Sequence, residues 1–319
     1  MNTNRVTDFP GLMLRVAEAN RCAPPPRVAV CAAADDNSLI AMEQARAAGR
    51  AEPVLVGEAD VIRGMLAGLG INPDTHAIHD VSGQDAQALA CVELVRAGGA
   101  DIIMKGMIPT STFLHPIFRK ETGLAAGGFI SHVGVLEVPG FDRLIIQTDG
   151  GINIAPDFEM KKGIIMNAVF VARLLGVERP RVALLSASEK VHPRIQSTVD
   201  ARDLVLWARD NVPDADVEGP MALDLAISPE AVASKGMAGI VAGHADILVA
   251  SNIEMGNVIY KALRYFAHAE GAGIVVGATA PIILTSRSDP PRERLNSLAL
   301  AVLYRSRMGE APRRLAKKA

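Results

Sequence analysis

Ser286 and Arg287 stand at the end of a short apolar run, Pro281-Ile282-Ile283-Leu284-Thr285, with Asp289, Arg292 and Glu293 just beyond. Arginine presents a planar fork of donors that matches phosphate or carboxylate oxygens, and a neighbouring hydroxyl adds one more hydrogen bond. Carboxylates a few residues away can accept a proton. A second such segment is Lys105-Gly106-Met107-Ile108-Pro109-Thr110-Ser111-Thr112. Its glycine lets backbone approach a ligand, Lys105 brings a positive charge, and Thr110 and Thr112 place hydroxyls at a helix start. The order is not that of a P-loop, since G-x-x-x-x-G-K-[ST] occurs nowhere in the chain. A capping serine with an exposed arginine, and a capped turn with a solvated lysine, are the non-functional explanations of these two segments.

Two further segments carry polar groups after apolar runs. Ser131-His132-Val133 puts an imidazole inside a strand-like stretch, where a histidine is more often a core residue than a catalyst. Thr148-Asp149-Gly150-Gly151-Ile152-Asn153-Ile154-Ala155-Pro156-Asp157 gathers two acids, an asparagine and a glycine pair, which Asx caps and tight turns explain equally well. Gly271, Gly273 and Gly277 precede a strand instead of following one, so they fail the context of a dinucleotide loop. His76 and His79 have no carboxylate cluster at useful spacing, and Asp35-Asp36 is a helix start near a sheet edge. Cys22, Cys31 and Cys91 show no paired spacing, which argues against a disulfide framework and against zinc.

Groups of this kind need strands to deliver them and helices to cover the strands. Apolar runs at 28–32, 53–56, 102–104, 129–135, 144–147, 182–185, 247–250, 274–276 and 282–284 predict strands. Segments of helical period at 37–48, 59–69, 85–96, 158–175, 195–209 and 257–269 alternate with many of them. Such alternation predicts an α/β protein with largely parallel sheets, and ligands bind at the carboxyl ends of strands in such sheets. The stretches around 135–142 and 271–273 read as the most loop-like. Across the 319 residues, 49% are hydrophobic but only 4% aromatic, a mix suited to a parallel sheet covered on both faces. A formal net charge of −2 gives no electrostatic case for nucleic acid or an anionic membrane. With no long apolar run and no leader-like start, a cytoplasmic protein without a membrane span is expected.

Nine segments in order resemble one family, the phosphate acetyltransferases and phosphate butyryltransferases. They are VAVCAAADD, LVGEADVI, ADIIMKGMIPTS, ISHVGVLEVPG, TDGGINIAPDFEMKKGIIMNAV, VALLSASEKVHPRIQSTVDA, VEGPMALDLAISPEA, HADILVASNIEMGNVIYKAL and GIVVGATAPIILTSRSD, spread over residues 28–301. TDGGINIAPD and EKVHPRIQSTVDA make the butyryl type the closer resemblance. The resemblance implies two α/β domains with an interdomain cleft, like the isocitrate and isopropylmalate dehydrogenases. Residues 1–135 with 276–319 would form the first domain and 136–275 the second. It also implies acyl-CoA + phosphate ⇌ acyl phosphate + CoA, with CoA as a substrate, no bound cofactor, no metal, and a homodimer or larger homo-oligomer.

The same resemblance assigns roles. Arg287 holds phosphate, and Ser286 serves the carbonyl oxygen or the thiol. Glu293 has the spacing of the acetyl type's acidic residue, whereas Asp289 belongs to the SR-x-D pattern of the butyryl type, so both are candidates for the base. Lys105, Gly106, Thr110 and Thr112 fall on the phosphate or CoA side, with His132, Asp149 and Asn153 as secondary candidates, and Glu254 and Asn257 as cleft or interface residues. Two other readings share the fold: a metal- and nicotinamide-dependent dehydrogenase, and a non-catalytic ligand-binding protein.

Overall fold

Runs of β-branched residues, punctuated by glycine and proline, set where the backbone turns. The computed structural model describes residues 5–22, 24–125, 128–286 and 289–312. The chain begins with α1 (Phe9–Ala19), β1 (Arg27–Cys31), α2 (Asp36–Ala47), β2 (Glu52–Gly57), α3 (Ala59–Gly68), β3 (Ala77–Asp80), α4 (Gln84–Arg96), β4 (Ile102–Lys105) and α5 (Thr110–Ile117). Then come β5 (Ser131–Glu137), β6 (Leu144–Thr148), α6 (Phe158–Leu174), β7 (Arg181–Leu185), α7 (Gln196–Asn211), β8 (Asp216–Met221), α8 (Leu223–Ile227) and α9 (Pro229–Lys235). The last elements are β9 (Ile247–Val249), α10 (Ile253–Tyr265), β10 (Glu270–Val276), β11 (Ile282–Ile283) and α11 (Pro291–Ser306).

These elements form two units. The first comprises Pro10–Gly128 with Ala272–Glu310, and the second is built chiefly from Phe129–Gly271. Strands of the first unit lie in the order β3-β2-β1-β4-β11-β10. All its neighbouring pairs are parallel except β10 with β11. Those of the second lie in the order β5-β6-β9-β7-β8, with only β5 and β6 antiparallel. The expected α/β architecture with largely parallel strands is therefore what the chain adopts.

Register decides which residues reach the carboxyl ends together in the first unit. Cys31 at the end of β1 stands opposite Val56 on one side and Lys105 on the other, and Ile283 of β11 stands opposite Met104. The segments starting at Ala32, Glu58, Gly106 and Leu284 consequently leave one edge of the sheet. Gly106 is required there by packing: its N–H donates to the Cys31 carbonyl at 2.8 Å. The core of the second unit packs Leu136, Ile145, Leu185, Leu225 and Leu248 together.

Several elements differ from the sequence expectation, each for a physical reason. β3 lies outside the expected strands, because it is largely exposed and too polar to show a strand pattern. β8 also lies outside them, because Gly219-Pro220 interrupts its alternation. α11 shows no clear helical period because Glu293, Arg294, Asn296 and Ser297 are buried along with its apolar residues, so polar and apolar positions do not divide into faces. α10 begins four residues before the expected 257, since the Asn252 side chain caps Met255 N–H at 2.9 Å. β5 and β10 run through parts of both stretches read as loops.

A β-carbon at position 106 would lie 2.6 Å from the Cys31 carbonyl oxygen and closer still to that of Ala32. Backbone atoms cannot step aside as side chains do. Gly106→Ala is therefore expected to lose about 1–3 kcal/mol of stability, read as a lower urea midpoint. An unchanged midpoint would contradict this packing.

Candidate functional site

The residue that organises the carboxyl edge of the first unit is Arg294, which is not among the candidates drawn from the sequence motifs. It lies in the first turn and a half of α11, and its side chain is 1% exposed. A buried guanidinium is tolerated only when its charge is paired and its donors are used. Nη2 pairs with Asp35 Oδ2 at 3.1 Å. Nη1 donates to Ser38 Oγ at 3.0 Å, to Thr285 Oγ1 at 3.1 Å and to the Lys105 carbonyl at 3.4 Å. Nε reaches the Asp289 carbonyl at 3.3 Å and Nη2 the Ser286 carbonyl at 3.5 Å.

Asp35 is itself the N-cap of α2, accepting Ser38 N–H at 3.2 Å and Ser38 Oγ–H at 2.6 Å. One ion pair thus ties the start of α2, the end of β4 and the segment after β11. A signal for Arg294 did exist in the sequence. It shares a helix face with Ser297, Leu298 and Ala301, all buried, and a charge on an apolar stripe implies a buried partner.

Around that anchor the sequence-predicted residues take distinct places. Ser286 is exposed, and its N–H donates to Asp289 Oδ2 at 2.7 Å while the Asp289 N–H donates back to the Ser286 carbonyl at 3.2 Å. Asp289 therefore closes a tight turn with its side chain. Glu293 is buried in the first turn of α11, where the helix dipole favours a carboxylate. Arg287 lies outside the described residues. Lys105 is 2% exposed, with Nζ donating to the Gly106 carbonyl at 3.3 Å. Thr110 is exposed and Thr112 half-buried in the first turn of α5. Beside this edge is a cavity of about 260 Å³ lined by Ala32, Glu58, Val61, Gln84 and Met107 among others.

The second unit gathers the remaining candidates around a carboxylate. Asp149 is 2% exposed and follows β6. Its Oδ1 accepts the N–H groups of Gly151 and Ile152 at 2.8 and 2.9 Å. Its Oδ2 accepts Asn153 Nδ2–H at 2.6 Å, His132 N–H at 3.0 Å and Asn153 N–H at 3.3 Å. Asn153 also donates to the Ile130 carbonyl at 3.0 Å. Those bonds tie β5 to the loop after β6, and the small residues are demanded by contact. A β-carbon at Gly151 would press on the His132 ring at 3.1 Å, and one at Gly256 would meet Gln147 Nε2 at 2.8 Å.

The His132 ring stands edge-on to Tyr260, 6.4 Å between centroids. Glu254 and Asn257 lie exposed on α10, with Asn257 Nδ2 donating to the Gly150 carbonyl at 3.3 Å. A cavity of about 510 Å³ opens beside Asp157, Ser197, Asp200 and Asn252, with Lys161 Nζ bound to Asp200 at 2.5 Å. Among the described residues, no three His, Cys, Asp or Glu side chains are gathered to hold a metal ion.

Comparison with known proteins agrees on one relationship. A family profile described as phosphate acetyl/butaryl transferase matches residues 83–302. The phosphate butyryltransferase of Clostridium beijerinckii is 41% identical over 301 residues, covering 94% of this chain and 98% of the relative. The phosphate acetyltransferase of Rhizobium meliloti is 40% identical over 294 residues, covering 92% and 93%. Among solved structures, a branched-chain phosphotransacylase from Enterococcus faecalis V583 is alike at a TM-score of 0.77 and 33% identity. That likeness covers 88% of this chain and 99% of the other.

Burial pushes the His132 imidazole below its usual value, opposed by the Asp149 charge. Burial acts on His76 in the same direction, opposed by Glu43. The unfolded chain then binds these protons more tightly. Stability present above the free-imidazole value of about 6.5 is accordingly lost as pH falls below it. The thermal midpoint is expected to drop between about pH 7.5 and 5.5, and less steeply in His132→Asn. Identical slopes for the two proteins would remove His132 from the explanation.

Proposed function

The chain belongs to the phosphate acetyl/butyryl transferase family, and on that premise we propose how its residues share the work. It is an acyltransferase that interconverts a short-chain acyl-CoA plus phosphate with an acyl phosphate plus CoA. The observation that carries this reading is identity of 41% with a butyryltransferase along 94% of the chain. The dehydrogenase alternative is not favoured, because the relatives matched through nearly the whole chain are transferases.

In the direction of acyl-CoA synthesis, the CoA sulfur attacks the acyl carbonyl carbon, the bond to the phosphate oxygen breaks, and phosphate leaves with the electron pair. The thiol proton goes to a base. A thiol with a pKa of about 8.5 is only a few per cent thiolate at neutral pH, so that base matters. The acyl oxygen gains charge and wants fixed donors, and the departing phosphate wants cations. Both substrates are held together in a ternary complex, which removes much of the entropic barrier.

Arg287 takes the phosphate, and Ser286, exposed at its turn, takes the carbonyl oxygen or the thiol. Of the two acids, Glu293 is the base. This assignment is supported by the Asp289 carboxylate already accepting the Ser286 N–H, which gives Asp289 the task of shaping the turn. Lys105, Gly106, Thr110 and Thr112 serve the phosphate or CoA side from the same edge of the first unit. For Asp149, Asn153 and His132, five donors converging on one carboxylate support a role in holding the loop after β6.

The acting form is a homodimer whose second copy docks on α10. Glu254, Val258, Lys261 and Tyr265 fall on one exposed stripe of that helix, and Phe266 just beyond it is 87% exposed. The stripe is acidic at its start and basic toward its end. A two-fold copy laid antiparallel therefore meets opposite charge around an apolar centre.

Phosphate-dependent release of CoA from acetyl-, propionyl- and butyryl-CoA tests the activity. Arg287→Ala and Glu293→Gln should each lower kcat/KM by roughly 10²-fold, about 3 kcal/mol. Wild-type kinetics in either variant would cancel that residue's role. By light scattering, the wild type should run as a dimer and Val258→Glu as a monomer, and a monomeric wild type would sink the docking surface.

A further inference from the structure

We propose that Arg294 is a positioning residue for this reaction, one that sets where the backbone of Ser286 and Asp289 stands. The inference rests on the acyltransferase reading and on contacts confined to the first unit. With its side chain 1% exposed, Arg294 cannot be a substrate ligand. Its donors point instead at the segment that carries the candidate chemistry: the Ser286 carbonyl at 3.5 Å, the Asp289 carbonyl at 3.3 Å and Thr285 Oγ1 at 3.1 Å. These three lie around the turn that the Asp289 side chain closes on the Ser286 N–H.

The opposite side of the guanidinium is fixed by Asp35 at 3.1 Å and Ser38 Oγ at 3.0 Å, groups belonging to the start of α2. A helix start therefore serves as the reference point from which the Ser286 turn is placed. A residue present only to neutralise Asp35 would need a point charge alone. Planar geometry is required for one side chain to reach three sites on the turn while holding an acid behind it. The Lys105 carbonyl completes the arrangement, accepting from Arg294 Nη1 at 3.4 Å and from Thr285 Oγ1 at 3.3 Å. The same side chain consequently registers the end of β4 against the segment after β11. A displacement of about 1 Å in a reacting group costs on the order of 10²-fold in rate, so such a fork has a kinetic consequence.

The test compares Arg294→Lys, which keeps the charge facing Asp35, with Thr285→Val, which removes one acceptor of the fork. Each is measured for circular dichroism, for kcat and KM with butyryl-CoA and phosphate, and for hydrogen exchange of the Ser286 amide. In folded Arg294→Lys, kcat should fall at least about tenfold, KM for both substrates should stay within about threefold, and the Ser286 amide should exchange at least about tenfold faster. Thr285→Val should move the same way by a smaller factor. Folded Arg294→Lys with wild-type kcat and unchanged Ser286 exchange overturns the proposal. Should that variant not fold, Thr285→Val decides alone, and wild-type turnover with unchanged exchange overturns it. Should the wild type release no CoA with phosphate, the acyltransferase reading fails, and exchange at Ser286 still decides whether Arg294 places the turn.

Discussion

A guanidinium removed from water needs hydrogen bonds and opposite charge in return, and in this chain that requirement draws three separate stretches together around α11. Arg294 meets Asp35 and Ser38 at the start of α2, the Lys105 carbonyl at the end of β4, and Thr285, Ser286 and Asp289 after β11. Breaking a buried pair by removing one partner typically costs about 3–5 kcal/mol, because the other charge is left uncompensated. The geometry of the Ser286 turn is thereby coupled to the folding of the first unit. Lys105 and Gly106 share that dependence, since the carbonyl of one is an acceptor for Arg294 and the backbone of the other packs on β1.

The second unit answers the same problem with the opposite sign. There the buried charge is the Asp149 carboxylate, and five N–H groups from His132, Gly151, Ile152 and Asn153 surround it. Charge-assisted bonds of this kind are stronger than neutral ones, and a loop so held keeps little freedom. Glycine at 151 and 256 follows from that crowding, because β-carbons there would strike His132 and Gln147. Each unit thus uses one buried charged side chain, Arg294 at the start of α11 and Asp149 after β6, to hold irregular backbone.

Acyl transfer between phosphate and CoA suits such a construction. The acyl carbonyl carbon is the electrophile and is brought by the substrate itself, so rate depends on holding donors and a base where charge develops. Backbone turns held by buried ions provide fixed positions without covering the reacting groups. Ser286 remains exposed although the carbonyl behind it accepts from a side chain that is almost wholly enclosed. The helices differ in the same way: α11 is buried along most of its length, while α10 keeps an exposed stripe.

Much was legible in the amino-acid order alone. Apolar runs and helical periods specify an alternating α/β chain, and nine ordered segments from VAVCAAADD to TSRSD specify its family, because both are local properties of neighbouring residues. Edge strands and the enclosed helix α11 were not legible, since β3 is too polar to show a pattern and α11 buries polar residues, Glu293, Arg294, Asn296 and Ser297, among its apolar ones. The places of the functional candidates were decided only in three dimensions. Asp289 and Glu293 are four residues apart and chemically alike, yet one closes a turn and the other is enclosed in a helix start. Arg294 stands 259 residues from Asp35, and nothing in the spacing announces their pairing. Local order determines which elements form. Which charges are buried together depends on strand register and on how β1, β4 and β11 align their ends, and that is a property of the tertiary structure alone.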